Sequence, residues 1–113
     1  MTIALSSDPR SWVWPRLFRL VLDDLVEYIA AELFTDPGNN AVVRLPPRRF
    51  PGVLIQGDSL SVIRADVAEI MKACDQGDID EAREAAALLL AGLDDLLAHY
   101  AAALENHGIA RPY

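Results

Sequence analysis

The chain has 113 residues, of which 52% are hydrophobic and 24% charged, and its formal net charge is −7. That length and composition describe one domain able to bury a core and exclude a globally disordered chain. The single cysteine excludes an internal disulfide and a cysteine-based zinc site, and the acidic balance disfavours nucleic acid and anionic membrane, whose binding rests on phosphate neutralisation.

The charge is unevenly placed. Residues 1–56 carry six Arg and six Asp/Glu, whereas residues 57–113 carry four basic and eleven acidic residues. The second half therefore holds all of the net charge and would steer a basic partner. No uninterrupted apolar run approaches the ~20 residues of a membrane span. Residues 1–10 lack the charged start and apolar stretch of a signal peptide. A cytoplasmic protein is expected, with no membrane and no nucleic acid among its partners.

Residues 1–11 read as a loose leader, residues 12–107 as one domain and residues 108–113 as a tail. Trp12 and Trp14 precede Pro15, which suits the first turn of a helix because its missing N–H costs nothing there. Over residues 15–34, Leu17, Phe18, Val21, Leu25, Tyr28, Ile29 and Leu33 recur at three- and four-residue spacings, the period of a helix. Turn formers at 35–40 end it. Short β-branched runs at 41–45 and 53–56, joined through a proline-rich loop, predict a two-stranded hairpin. A lone hairpin is marginal in water, so it must lie on the helices.

Asp58 or Ser59 is placed to cap a second helix that runs to about Asp75. Its expected core stripe is Leu60, Ile63, Val67, Ile70 and Cys74. Gly77 is placed as the C-terminal cap. Asp78 with Glu81 three residues on resembles a capping box that starts a third helix, ending near Asn106. Ile79, Ala82, Ala86, Leu89, Leu93, Leu96, Tyr100 and Ala103 form its stripe, with a second stripe of Leu90, Leu97 and Leu104 one position further round. That second stripe is either packed within the domain or an interface. The expected fold is α+β and helix-dominated, in the order α, β-hairpin, α, α, with the hairpin on a three-helix layer.

Gly57-Asp58-Ser59-Leu60 follows a short strand and opens a helix, and in this it resembles the nucleophile block of the GDSL hydrolases. That resemblance implies Ser59 as nucleophile, an Asp-x-x-His near the C-terminus, and Gly and Asn oxyanion donors. Here His99 follows Asp95 and Asp94 by four and five residues, and His107 has no Asp three residues before it. Only 54 residues follow Ser59, and they read as two helices rather than the crossovers of a parallel sheet. A Ser59 hydrolase therefore ranks last, and no catalytic set is assigned.

An anion site is an alternative. Gly57 and Ser59 sit where a helix start offers free N–H groups, and Arg44, Arg48 and Arg49 lie nearby in sequence. Asp58 opposes it by placing a carboxylate at the same pole, and ion pairs between these arginines and the acidic helices are the competing expectation. His99 and His107 are too far apart to share a metal directly, so no metal and no cofactor is expected. Cys74 is expected to pack in the core. Trp12 and Trp14 either close the core or anchor a partner.

The run Asp36-Pro37-Gly38-Asn39, Ala41 to Pro46, and Arg48-Arg49-Phe50-Pro51-Gly52-Val53-Leu54-Ile55-Gln56-Gly57-Asp58-Ser59-Leu60 resembles a family of small uncharacterised bacterial proteins. The resemblance extends through the two acidic helices, leaves the Trp-rich start outside, and implies no catalytic residue. In size and charge alone the chain is also similar to immunity proteins that neutralise bacterial toxins. The expected function is that of a non-enzymatic acidic binding protein, an inhibitor or immunity-type factor for a basic protein. Glu84, Asp94, Asp95, Trp12 and Trp14 are its expected partner-binding residues. A homodimer is the competing use of the surplus apolar stripes.

Overall fold

The computed structural model describes residues 2–4 and 26–113. Trp12, Trp14 and residues 15–25 of the first expected helix lie outside the described residues. Four strands, β1 (Thr2–Ala4), β2 (Ala30–Leu33), β3 (Val42–Arg44) and β4 (Gly52–Val53), precede two helices, α1 (Gly57–Asp75) and α2 (Ile79–Asn106). The strands form one sheet in the order β1-β2-β3-β4, with every neighbouring pair antiparallel. The α+β, helix-dominated class holds. The expected hairpin is present as β3 paired with β4, but its second strand is Gly52–Val53 rather than 53–56, and it belongs to a four-stranded sheet rather than standing as a two-stranded unit.

Two expectations are corrected here. Residues 30–33 are strand, not the end of a helix, and Thr2–Ala4 of the expected leader pair with them as β1. Ala, Glu and Leu are good helix formers, so local propensity does not set β2. Pairing on both edges does. Glu32 stands directly opposite Arg44 and forms an ion pair with it, and Leu33 stands opposite Val43. Among the described residues the helical layer consists of α1 and α2 alone.

The helix ends follow local chemistry. The Asp78 carboxylate accepts the Glu81 N–H at 3.0 Å, as a cap should. Gly77 takes φ +72°, a left-handed conformation that an L side chain resists. Its N–H and that of Asp78 reach back to the carbonyls of Cys74 and Ala73 at 3.0 and 2.9 Å. At the start of α1 the cap position is Gln56, with no side-chain cap. Asp58 lies inside the first turn instead, and its carboxylate accepts the Ser59 N–H at 2.8 Å.

The short turn between them makes α1 and α2 an antiparallel helical hairpin. With 28 residues against 19, α2 outlasts α1, and its free end carries the sheet. Val42, Tyr100, Ala103 and Leu104 form the core there, with Phe34, Val53 and Ile109 packed against it. The Tyr100 hydroxyl donates to the Pro51 carbonyl at 2.6 Å and ties β4 to α2. The expected tail joins this end too, through Ile109 and through Tyr113, whose ring stacks on Tyr100 at 6.4 Å between centroids.

Candidate functional site

The hairpin of α1 and α2 presents two faces of opposite character. Its contact line runs through Ser59, Ile63, Ile70 and Ala73 on α1, and through Ala82, Ala85, Leu89, Leu96 and Tyr100 on α2, all buried or half-buried. At about 100° per residue, the residues to either side of that line fall on opposite faces. On one face lie Asp66 and Glu69 of α1 and Glu81, Glu84 and Asp95 of α2. All five are exposed, and none is in an ion pair among the described residues. Lys72, one residue before the contact residue Ala73, stands on this side as well, and Val62 and Leu88 lie among the charges, all three exposed.

The other face is largely apolar, with Arg64 and Arg83 set into it. Leu60, Val67, Met71 and Cys74 follow each other along α1, and Ile79, Ala86, Leu90, Leu93 and Leu97 along α2, all of them exposed. Three members of the expected α1 core stripe, Leu60, Val67 and Cys74, are thus solvent-facing. The stripe of Leu90, Leu97 and Leu104 divides. The sheet buries Leu104, while Leu90 and Leu97 stay open. The reason is reach, because a sheet packed on the last turns of α2 cannot cover its middle.

The expected partner-binding residues separate accordingly. Glu84 and Asp95 share the acidic face, whereas Asp94, one residue from Asp95, turns about 100° away to the outer edge of the apolar one. Glu81, Asp66 and Glu69 complete the acidic face. They were missed because a face shared by two helices shows only when the helices are paired.

The anion-site residues are also distributed. Arg44 is engaged by Glu32, donates to the Arg49 carbonyl at 3.3 Å and lies 5.5 Å from the Phe34 ring centroid. The expected pairing of the arginines with the acidic helices is therefore replaced, for Arg44, by a pair within the sheet. Arg48 is exposed and lines a cleft with Arg44 against β2, while Arg49 lies over the Phe50 ring. Gly57 is exposed at the start of α1, and Ser59 lines a different cleft.

That second cleft, about 390 Å³, brings Ser59, Asp95 and His99 onto one wall system with Asn40. The His99 Nε2 meets the Asn40 carbonyl at 3.0 Å. A carbonyl only accepts, so in this bond Nε2 is the donor, and that nitrogen is engaged by Asn40 rather than by Ser59. Asn40 holds φ 61°, in the left-handed region that asparagine tolerates. A further cleft of about 540 Å³ lies between residues 33–39 and the end of α2 and includes His99 and His107. His107 is bonded through Nδ1 to the Ala103 carbonyl at 2.9 Å and meets the Phe34 ring edge-on. Among the described residues no His, Cys, Asp or Glu cluster fits a metal ion. Burial, and then the neighbouring Tyr113 phenol, push the Tyr100 hydroxyl pKa above its ordinary value.

By length and composition α2 is also apolar enough to cross a membrane, with a mean hydropathy of 1.4 over 18 residues.

Fold and site together define a small α+β protein whose sheet rides on the overhanging end of a two-faced helical hairpin. The chain belongs to the family of unknown function DUF6959, whose profile matches residues 26–113, from just before β2 through α2 to the C-terminal residue. No curated protein and no solved structure matches it.

Proposed function

We propose that the protein is a non-enzymatic, cytoplasmic binding protein that recognises a basic protein partner through the acidic face of its helical hairpin, in the manner of an inhibitor or immunity-type factor. The observation that carries this is the set of five exposed carboxylates, Asp66, Glu69, Glu81, Glu84 and Asp95, on one face, where they outnumber Lys72 and none is in an ion pair among the described residues. Unpaired like charges repel one another and weaken the isolated fold slightly, and a basic surface relieves that repulsion while speeding encounter. Val62 and Leu88 supply apolar contact within the same patch.

Two further observations support it. His99 Nε2 is bonded to the Asn40 carbonyl and not to Ser59, so no serine–histidine pair is assembled for the Ser59 hydrolase. A spanning role for α2 would bury Asp94 and Asp95 near its midpoint, each costing about 2.5–3.5 kcal/mol in a bilayer.

The test is affinity capture from lysate of the source organism at low and high salt, with wild type, a Glu84→Lys/Asp95→Lys variant and an Asp94→Lys variant. The expected result is one stoichiometric basic protein, released by salt, lost with the double variant and retained with Asp94→Lys. Equal capture by wild type and the double variant would remove the acidic face from recognition.

A further inference from the structure

We infer that the apolar face of the hairpin is a homodimer interface, closed by the same face of a second copy of this chain to give a four-helix layer. This is independent of the acidic face, which points the other way and stays free.

The geometry starts from each helix separately. On α1 the sequence Leu60, Arg64, Val67, Met71, Cys74 steps by four, three, four and three residues. On α2, Ile79, Ala86, Leu90, Leu93 and Leu97 step by seven, four, three and four. Both are seams of the kind that interlock between helices crossing at a shallow angle. Viewed from its own N-terminus, each seam lies further round in the same rotational sense from the α1–α2 contact line. Because the helices run antiparallel, reversing one brings both seams to the same side. They merge into one continuous surface instead of two separate ridges.

The middle of α2 makes the need for a cover acute. Residues 85–93 contain no charged side chain on any face, and a helix apolar all round belongs in an interior. α1 covers one side of it only, and Leu90 remains 59% exposed and Leu97 49%.

Size and charge both favour a second copy as the occupant. The exposed parts of Leu60, Val67, Met71, Ile79, Leu90, Leu93 and Leu97 amount to about 700 Å², close to the ~800 Å² each partner contributes to a standard stable interface. The face is also self-complementary in charge. Arg64 sits in the α1 seam between Leu60 and Val67 and Arg83 in the α2 seam between Ile79 and Ala86, with Asp75 and Asp94 at the outer edges. In a two-fold arrangement with the copies antiparallel, each arginine of one copy is brought towards the corresponding aspartate of the other. Charges that cross-pair in this way make the patch self-complementary, as the patch of an isologous interface is. A uniformly basic or acidic partner would meet a like charge at two of the four positions.

The test uses the full chain. Light scattering across the micromolar range should give twice the 12.4 kDa chain mass for wild type. A Leu90→Lys/Leu97→Lys variant should fall to the mass of one chain with its helical circular dichroism retained. Leu88→Lys, on the acidic face, should stay dimeric.

Because the chain has one cysteine and it lies on this face, a spin label on Cys74 reports only distances between copies. A dipolar signal from wild type, abolished by dilution with unlabelled chain, is expected even if the lysine variant fails to fold. A monomer throughout the concentration range would overturn the inference. So would a dimer that Leu88→Lys breaks and Leu90→Lys/Leu97→Lys leaves intact.

Discussion

The two ends of the helical hairpin are built from the same residue types and end in opposite states. Where the sheet rides on α2, Leu104 and Val42 have no accessible surface, and a tyrosine bond ties strand to helix. Towards the Gly77 turn, Ala73 and Ala82 are the buried side chains, while Ile79 is 66% and Leu88 72% exposed. Small residues let the two helices approach closely but bury little area, so the turn end draws little hydrophobic stabilisation from within the chain. The sheet end is a self-sufficient core, and the turn end is a scaffold for displaying surface. Stability distributed this way leaves the display end the first to open.

The comparison breaks most sharply in the core. Leu104→Ala should destabilise by about 2–5 kcal/mol, the range for emptying a fully buried leucine site, whereas Leu88→Ala should change stability by less than about 0.5 kcal/mol. Paired urea denaturation curves measure both, and equal losses would erase the distinction between the ends.

Tyr100→Phe should come next. It leaves the buried Pro51 carbonyl without its donor, for about 1–3 kcal/mol. It also carries a pH signature. The Tyr100 hydroxyl titrates above its ordinary value of 10.0 in the folded chain, so folding favours the protonated phenol. That contribution is complete below pH 10.0 and is lost as pH rises through the raised folded value. Wild type should lose melting temperature over that alkaline window, and Tyr100→Phe should lack this component of the loss.

Asp78→Ala should have the smallest effect, about 1 kcal/mol, by removing the cap on the Glu81 N–H. Hydrogen exchange sharpens the comparison here. Amides in the first turns of α2 should lose protection, while those around Tyr100 and Leu104 keep it. Loss of protection at both ends would mean that the hairpin opens as one unit.

Much of the fold was legible from short-range chemistry. Gly77 and Asp78 mark their helix ends because a left-handed glycine and a side-chain cap act within a few residues. The β3–β4 pairing was legible from the β-branched run at 41–45 and the loop after it, whereas the second strand falls on Gly52–Val53 and shares only Val53 with the expected run at 53–56. β2 was not, since Ala30 to Leu33 has the composition of a helix and becomes a strand only through Thr2–Ala4 on one edge and Val42–Arg44 on the other. Of the candidate site, Glu84 and Asp95 were legible as acids and Leu90 and Leu97 as a surplus stripe. Which of them share a face was not, because that depends on how α1 is set against α2.

Local sequence by itself determined the class, the two long helices, the end of α1 at Gly77, the cap of α2 at Asp78 and the acidic second half. These properties come from interactions between residues near each other in the chain. Tertiary structure decided that residues 30–33 extend, that Leu104 is buried while Leu90 is not, and that Asp94 parts company with Asp95. Each of those depends on pairing or packing with residues distant in sequence, whose location no local pattern encodes.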